Sequence, residues 1–326
     1  MYLIVNSKET KFANMAVVNQ AIENYFVNDL QKDGHGVMIY ASNPAVIIGR
    51  DDNIWETLNV PLMNQYHLEL VRKPINSNIQ YNDSGTLKIN EIIGKDDGNF
   101  ENYDYFAKPI LKALENLGVT AKLKDRTNQL QVNDKTFGRI QMQKNARGYT
   151  VDVEILFKVN QDIAKKVILE PSFDELINLA SELPSKVSLD DLRAAIIKVM
   201  FNVDDIDDAQ DYQISTTDWE QIEHSLADEF GLDSWNYGHN AGYGQYADEA
   251  FSAGKLGINF TVVGNQFTAF KFVPFFKIEG DLSAIETALV GSDTSDDAIE
   301  KAVDQGHLKT LEKQKMLNFI THKVVK

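Results

Sequence analysis

With 326 residues, 43% of them hydrophobic and 25% charged, the chain has enough apolar side chains for one large core and a second, smaller one. A formal charge of −16 argues against duplex DNA and anionic membrane surfaces as partners. The absence of cysteine removes disulfides, thiolate metal sites and any thiol nucleophile. The apolar run at the N-terminus is too short for a signal peptide and no later run would span a bilayer, so a cytoplasmic location is the expectation.

In chain order, residues 2–5 read as a strand and 14–30 as an amphipathic helix, with Met15, Val18, Ile22, Phe26 and Leu30 about one turn apart. A strand is predicted over 36–40 and a strand with its turn over 43–53. Gly49 follows three β-branched residues there, which suggests a bulge or tight exit that leaves Arg50 at a strand end. Residues 56–66 read as one short helix, 68–72 as a strand, and 86–93 as a returning strand after a polar loop. A helix over 102–117 places Phe106, Ile110, Leu114 and Leu117 inward and stops at Gly118, with Pro109 either in its first turns or kinking it.

The stretch 122–157 reads as hairpins. In its last strand Asp152 and Glu154 sit two apart and share a face opposite Val151, Val153 and Ile155. The plain reading of that face is exposure to solvent; the alternative is a carboxylate pair holding Mg²⁺ through waters. Residues 159–198 read as helical, with Ser188 a candidate N-cap. The acid-rich stretch 203–218 reads as a solvated linker, since it lacks the alternation and closing Glu of a calcium loop. Strands over 254–260 and 267–276 form a hairpin around Gly264 and Asn265, and helices follow over 295–303 and 308–320.

Several segments together resemble the lipoate–protein ligases. Val71, Arg72 and Lys73 fit that family's strand ending in two basic residues, Tyr81 and Asp83 fit its Tyr-His-Asp, and Gly85 and Leu87 fit the following turn. Asn76, Ser77 and Asn78 stand where the family has three glycines, and Asn82 replaces the histidine. Asn tolerates left-handed φ better than other non-Gly residues, so the loop path can survive, but with a narrower and more polar cavity. The Pro-x-Val-Ile-Ile-Gly-Arg segment is present and ends at Arg50, while Trp235, Tyr237 and Gly238 fit a Trp-x-Tyr-Gly segment. Aligned without gaps, Asn128 and Leu130 match, but the family's catalytic lysine falls on Thr136; a one-residue shift would put Lys135 there instead. Adjacent strand residues face opposite ways, so the two registers differ in meaning. The family's paired histidines fall on Val151 and Asp152, and its Ser/Thr-rich closing loop has no counterpart in 159–198.

The resemblance implies an α+β fold: a biotinyl/lipoyl-ligase-like mixed-sheet domain over 1–243 and a small α+β C-terminal domain over 244–326, with Gly242 and Gly244 as a permissive hinge. The implied activity is formation of lipoyl-AMP from lipoate and ATP with Mg²⁺, then transfer to a lysine of a lipoyl domain. Arg50 would face the site, Arg72, Lys73, Asn128 and Lys135 would handle phosphates, and residues 74–83, including Asn76, Ser77, Asn78, Tyr81, Asn82 and Asp83, would line the acyl site. The resemblance assigns no metal-binding residues. The alternative is a non-catalytic or repurposed homologue that binds an acyl-carrier or lipoyl domain, a partner ligase or another small ligand.

Overall fold

The computed structural model describes residues 1–5, 14–28, 34–95, 97–145, 147–169 and 176–324. The chain divides into two compact units: Met1–Ile47 with Gln80–Lys165 and Glu170–Phe230, and Ile48–Ile79 with Lys166–Leu169 and Gly231–Lys326. Each is taken by itself.

The first unit is organised on an eight-stranded sheet. Its order is Asp211–Gln213, Tyr2–Val5, His35–Tyr40, Thr86–Ile93, Tyr149–Leu156, Lys135–Lys144, Gln129–Val132, Lys122–Leu123. The first three strands run parallel to one another and the rest pair antiparallel. Strand alternation sends Val37, Ile39, Leu87, Ile89, Val151, Val153 and Ile155 to one face, where they form a single core. Helices Tyr103–Asn116 and Leu189–Phe201 close it with Phe106, Ile110, Leu114, Leu192 and Ile196. Each such side chain contributes about 1.5–3 kcal/mol by leaving water. The first of these helices starts where the Asn102 side chain accepts from the Tyr105 N–H and stops before Gly118 at φ +88°. The second opens with a reciprocal Ser188–Asp191 capping box.

Two expectations change here. The acid-rich stretch is no linker: Asp211–Gln213 adds a parallel strand to the sheet edge, with Leu3 opposite Asp211 and Ile4 opposite Tyr212. Beyond it, buried Asp218 accepts hydrogen bonds from Tyr25 (2.6 Å), Tyr212 (2.9 Å) and the Ser215 N–H (2.8 Å). The N-terminal helix spans Ala16–Asn28; Leu30, expected to end it, lies outside the described residues.

In the second unit, Gln245–Phe251, Gly254–Val263 and Gln266–Pro274 make an antiparallel sheet, one strand more than the hairpin expected. Gly264 and Asn265, both at positive φ, form its two-residue turn. Helices Leu282–Leu289, Asp296–Gln305 and Lys313–Val324 pack on it around Leu256, Ile258, Phe260, Phe270, Ile285 and Met316. Residues 56–66 form no single helix. Asn53 and Asn59 cap two short ones, Ile54–Thr57 and Val60–Gln65, and Pro61 at the second start prevents a continuous run.

Candidate functional site

The second face of the eight-stranded sheet is polar, and along the central strands Thr86–Ile93 and Tyr149–Leu156 it is also buried. Alternation places Lys88 and Asn90 of Thr86–Ile93, Asp152 and Glu154 of Tyr149–Leu156, and Tyr40 of His35–Tyr40 on this side. Asp152 and Glu154 are only 7% and 6% exposed, which corrects the expectation of a solvated carboxylate face. The cause is the partner set. Lys88 Nζ forms an ion pair with Asp152 and donates to Gln80 Oε1 at 2.8 Å. Asn90 donates to Glu23 Oε2 of the Ala16–Asn28 helix at 2.8 Å. The Asn82 amide, oriented to satisfy its neighbours, donates to Glu154 Oε1 at 3.1 Å and to the Tyr81 carbonyl at 3.2 Å. Burial raises the Tyr40 hydroxyl well above its ordinary pKa, and the Glu23 and Asp152 carboxylates raise it further. Lys88 carried no signal in the sequence beyond its alternation with Leu87 and Ile89.

The hairpin that should carry the catalytic lysine has its register set by a two-residue turn. Asn133 and Asp134 both have positive φ, so Val132 pairs with Lys135 and Gln131 with Thr136. Lys135 is exposed, and Thr136 lies buried on the polar face. Its Oγ1 accepts from Gln131 Nε2 (3.1 Å) and donates to Gln129 Oε1 (3.2 Å). A bulge at Leu130/Gln131 then shifts the pairing, so that Gln129 stands opposite Arg139. Asn128 is half-buried, and its carbonyl accepts from the Ile140 N–H at 2.8 Å.

Tyr81 and Asn82 lie in the Gln80–Asn82 strand, paired with Val46 and Ala45. Burial pushes the Tyr81 hydroxyl far above its ordinary pKa, helped by the neighbouring Asp83 carboxylate. Asp83 is a fastener: its two oxygens accept from the N–H groups of Gly85 (2.8 Å) and Asn160 (2.9 Å). A Cβ on Gly85 would meet the Lys158 carbonyl oxygen at 2.0 Å, so only glycine fits that turn.

In the second unit, Arg72 is fully buried, and burial lowers its pKa to about 10. Its Nη1 donates to the carbonyls of Gly49 (3.2 Å), Arg50 (2.9 Å) and Asp52 (2.8 Å), and its Nη2 to the Asn236 carbonyl (3.2 Å). Asn236 Oδ1 accepts from the Arg72 N–H, and Trp235 Nε1 donates to the Arg72 carbonyl, both at 2.9 Å. The Trp-Asn-Tyr-Gly segment is thereby a clamp on this arginine, a role its sequence did not disclose. Lys73 is buried as well, with its N–H bonded to the Ile48 carbonyl at 2.9 Å. Arg50 is exposed and forks onto Asp51 at 2.9 and 3.2 Å. Hydrogen bonds from Arg50 and Asn76 bring the Asp51 carboxyl down to about 2.

Asn76 exchanges two hydrogen bonds with Asp51, Ser77 is half-buried and Asn78 exposed. None of the three has positive φ, so the expected use of asparagine as a left-handed substitute for glycine is not realised. The room comes from Gly49, where a Cβ would stand 2.7 Å from the Ser77 nitrogen.

This mixed sheet, with its polar second face and a separate βββααα body, defines the class of the biotinyl/lipoyl ligase-like folds. The profile of the Lipoyl protein ligase A/B catalytic domain matches residues 15–201, and that of the Bacterial lipoate protein ligase C-terminus matches 240–320. The chain belongs to the lipoate–protein ligase family. Lipoate–protein ligase 1 of Staphylococcus aureus is 26% identical over 299 residues, covering 88% of this chain and 90% of the relative. A bipartite lipoate protein ligase from Thermoplasma acidophilum, solved in a study of that ligase and its E2 lipoyl domain, superposes with a TM-score of 0.62 at 17% identity, over 72% of this chain and 95% of that one. A lipoate-protein ligase A bound with ATP gives 0.61 at 17%, over 72% and 97%. Among the described residues no helix is long and apolar enough to cross a membrane.

Proposed function

We propose that this chain is a repurposed member of the family, keeping the ligase scaffold as a ligand-binding site and lacking the lysine route to lipoyl transfer. The observation that carries this reading is Thr136. In the ungapped register the position of the family's lysine holds a hydroxyl locked between two glutamines, and Lys135, the residue of the shifted register, faces solvent. Stabilising charge on an adenylate needs a preorganised cation at that place. The phosphate role expected of Arg72 has no free donor face at Nη1 or Nη2, since Nη1 is spent on three backbone carbonyls and Nη2 on the Asn236 carbonyl and Asn240 Oδ1. The test is a lipoylation assay with ATP, Mg²⁺, lipoate and an acceptor lipoyl domain, followed by intact mass. No mass gain of the acceptor and no AMP release are expected; stoichiometric modification would overturn the reading.

The length of the likeness supports a second reading. Both family profiles are present and the similarity to a Staphylococcus aureus ligase runs through about nine-tenths of each chain. Under it, ATP and lipoate bind, a lipoyl domain is the acceptor, and another cation does the work of the missing lysine. The same assay separates the two readings.

A further inference from the structure

We propose that Arg139 and Gln129 form an oxyanion anchor on the polar face of the large sheet, for a small ligand bearing a carboxylate or a phosphate. Without the bulge, Thr136 and Arg139, three residues apart on one strand, would point to opposite faces. With it, Gln131 is opposite Thr136 while Gln129 is opposite Arg139, and all four side chains share the polar face. The bulge thereby brings a guanidinium to the strand and face where the family's lysine is missing.

The donors at this place are in surplus. Arg139 Nε is buried and meets no acceptor. The Thr136 hydroxyl donates to Gln129 Oε1, which occupies that amide's acceptor and leaves its NH₂ as a donor. Directly across from Arg139 on the other side is Glu154, whose Oε1 takes the Asn82 amide. Among the described residues, two further cations of this face are committed elsewhere: Lys88 to Asp152 and Gln80, and Lys122, opposite Gln131, to Asp134. A buried polar group without a partner costs stability in the empty protein, and such groups call for a reason. A planar guanidinium beside an amide NH₂ fits a two-oxygen acceptor, because carboxylate and phosphate both accept two parallel N–H bonds.

The proposal rests on the reading of the scaffold as a binding site, and it is testable apart from that reading. Titration calorimetry would be run with AMP as the phosphate probe and octanoate as the carboxylate probe, on wild type, Arg139→Gln, Arg139→Lys and Gln129→Glu. The expected result is measurable binding of one probe to wild type and at least tenfold weaker binding by Arg139→Gln. Arg139→Lys should fall between them, since an ammonium keeps the charge and loses the fork. Gln129→Glu places a carboxylate opposite Arg139 and should abolish anion binding while preserving the melting temperature, which guards against a variant that merely unfolds. AMP alone binding marks a phosphate ligand, and octanoate alone a carboxylate ligand. Failure of both probes at millimolar concentration, or an Arg139→Gln affinity equal to wild type, would overturn the anchor. If wild type lipoylates an acceptor and Arg139→Gln does not, the anchor stands and the repurposed reading falls.

Discussion

Along the central strands Thr86–Ile93 and Tyr149–Leu156 the two faces of the eight-stranded sheet are both buried, and they are built in opposite ways. Along Thr86–Ile93 all eight residues are buried, yet Leu87 and Ile89 enter an apolar core while Lys88 and Asn90 enter a network of carboxylates and amides. The apolar face needs only neighbours of suitable volume, because dispersion and water release are not directional. The polar face needs a matching partner for each group, because an unpaired buried donor or charge costs more than a paired one returns. A face of the second kind is therefore more demanding, and its unmatched members, Arg139 Nε among them, are where a ligand is to be sought.

Neighbouring substitutions separate the two designs. Lys88→Met removes one member of a buried ion pair and should cost about 3–5 kcal/mol, measured by urea unfolding, since the buried Asp152 carboxylate loses its cation. Adding Asp152→Leu should restore most of that loss, because a pair replaced by apolar groups is often neutral or stabilising; no recovery would mean that the polar face is held by something other than pairing. On the opposite side Ile89→Ala should cost about 2–5 kcal/mol, with no second-site polar change able to rescue it.

Smaller effects sharpen the contrast. Thr136→Val strands Gln129 Oε1 and Gln131 Nε2 and should cost about 1–3 kcal/mol in the same assay. Asp218 gives a pH signature. Burial by itself raises its carboxyl, but hydrogen bonds from Tyr25, Ser215 and Tyr212 bring the folded pKa below the ordinary 3.8. A depressed folded value means stability that is present above the unfolded pKa and lost as pH falls through the folded one. The melting temperature of wild type should thus drop more steeply than that of Asp218→Asn between about pH 5 and 3. Lys135→Ala, at the exposed hairpin end, should shift stability by no more than about 0.5 kcal/mol. A larger change in stability, or a change in any ligand affinity, would place this lysine on the polar face after all.

Much of the fold was legible because its signals are local. The alternation of Thr86–Ile93, the 3.6-residue period of Tyr103–Asn116 and the Ser188 cap are read from short windows. The Asp211–Gln213 strand was missed because its sequence is acidic and its pairing is made by Tyr2–Val5, some two hundred residues earlier. Gln245–Phe251 was missed for a similar reason, since its polar residues reveal a strand only beside Gly254–Val263. At the candidate site, the motif residues could be named from the sequence, but their contacts could not. Arg72 looked like a phosphate ligand, and its duty was set by carbonyls at Gly49, Arg50, Asp52 and Asn236 that the strand itself does not encode.

What the sequence by itself determined is the family, the α+β class, and most of the strands and helices of the central sheet and its covering layer. These follow from residue type and spacing, which local sterics and hydrophobic period translate directly into structure. Only the tertiary structure decided that the Asp152–Glu154 face is buried, because that depends on Lys88, Asn82 and the network around Asn90 and Glu23 arriving from distant segments. It also decided that Thr136 and Arg139 share a face. The type I′ turn at Asn133 and Asp134 sets where that hairpin begins to pair, but a bulge is a mismatch between two strands, and no single strand's sequence states it.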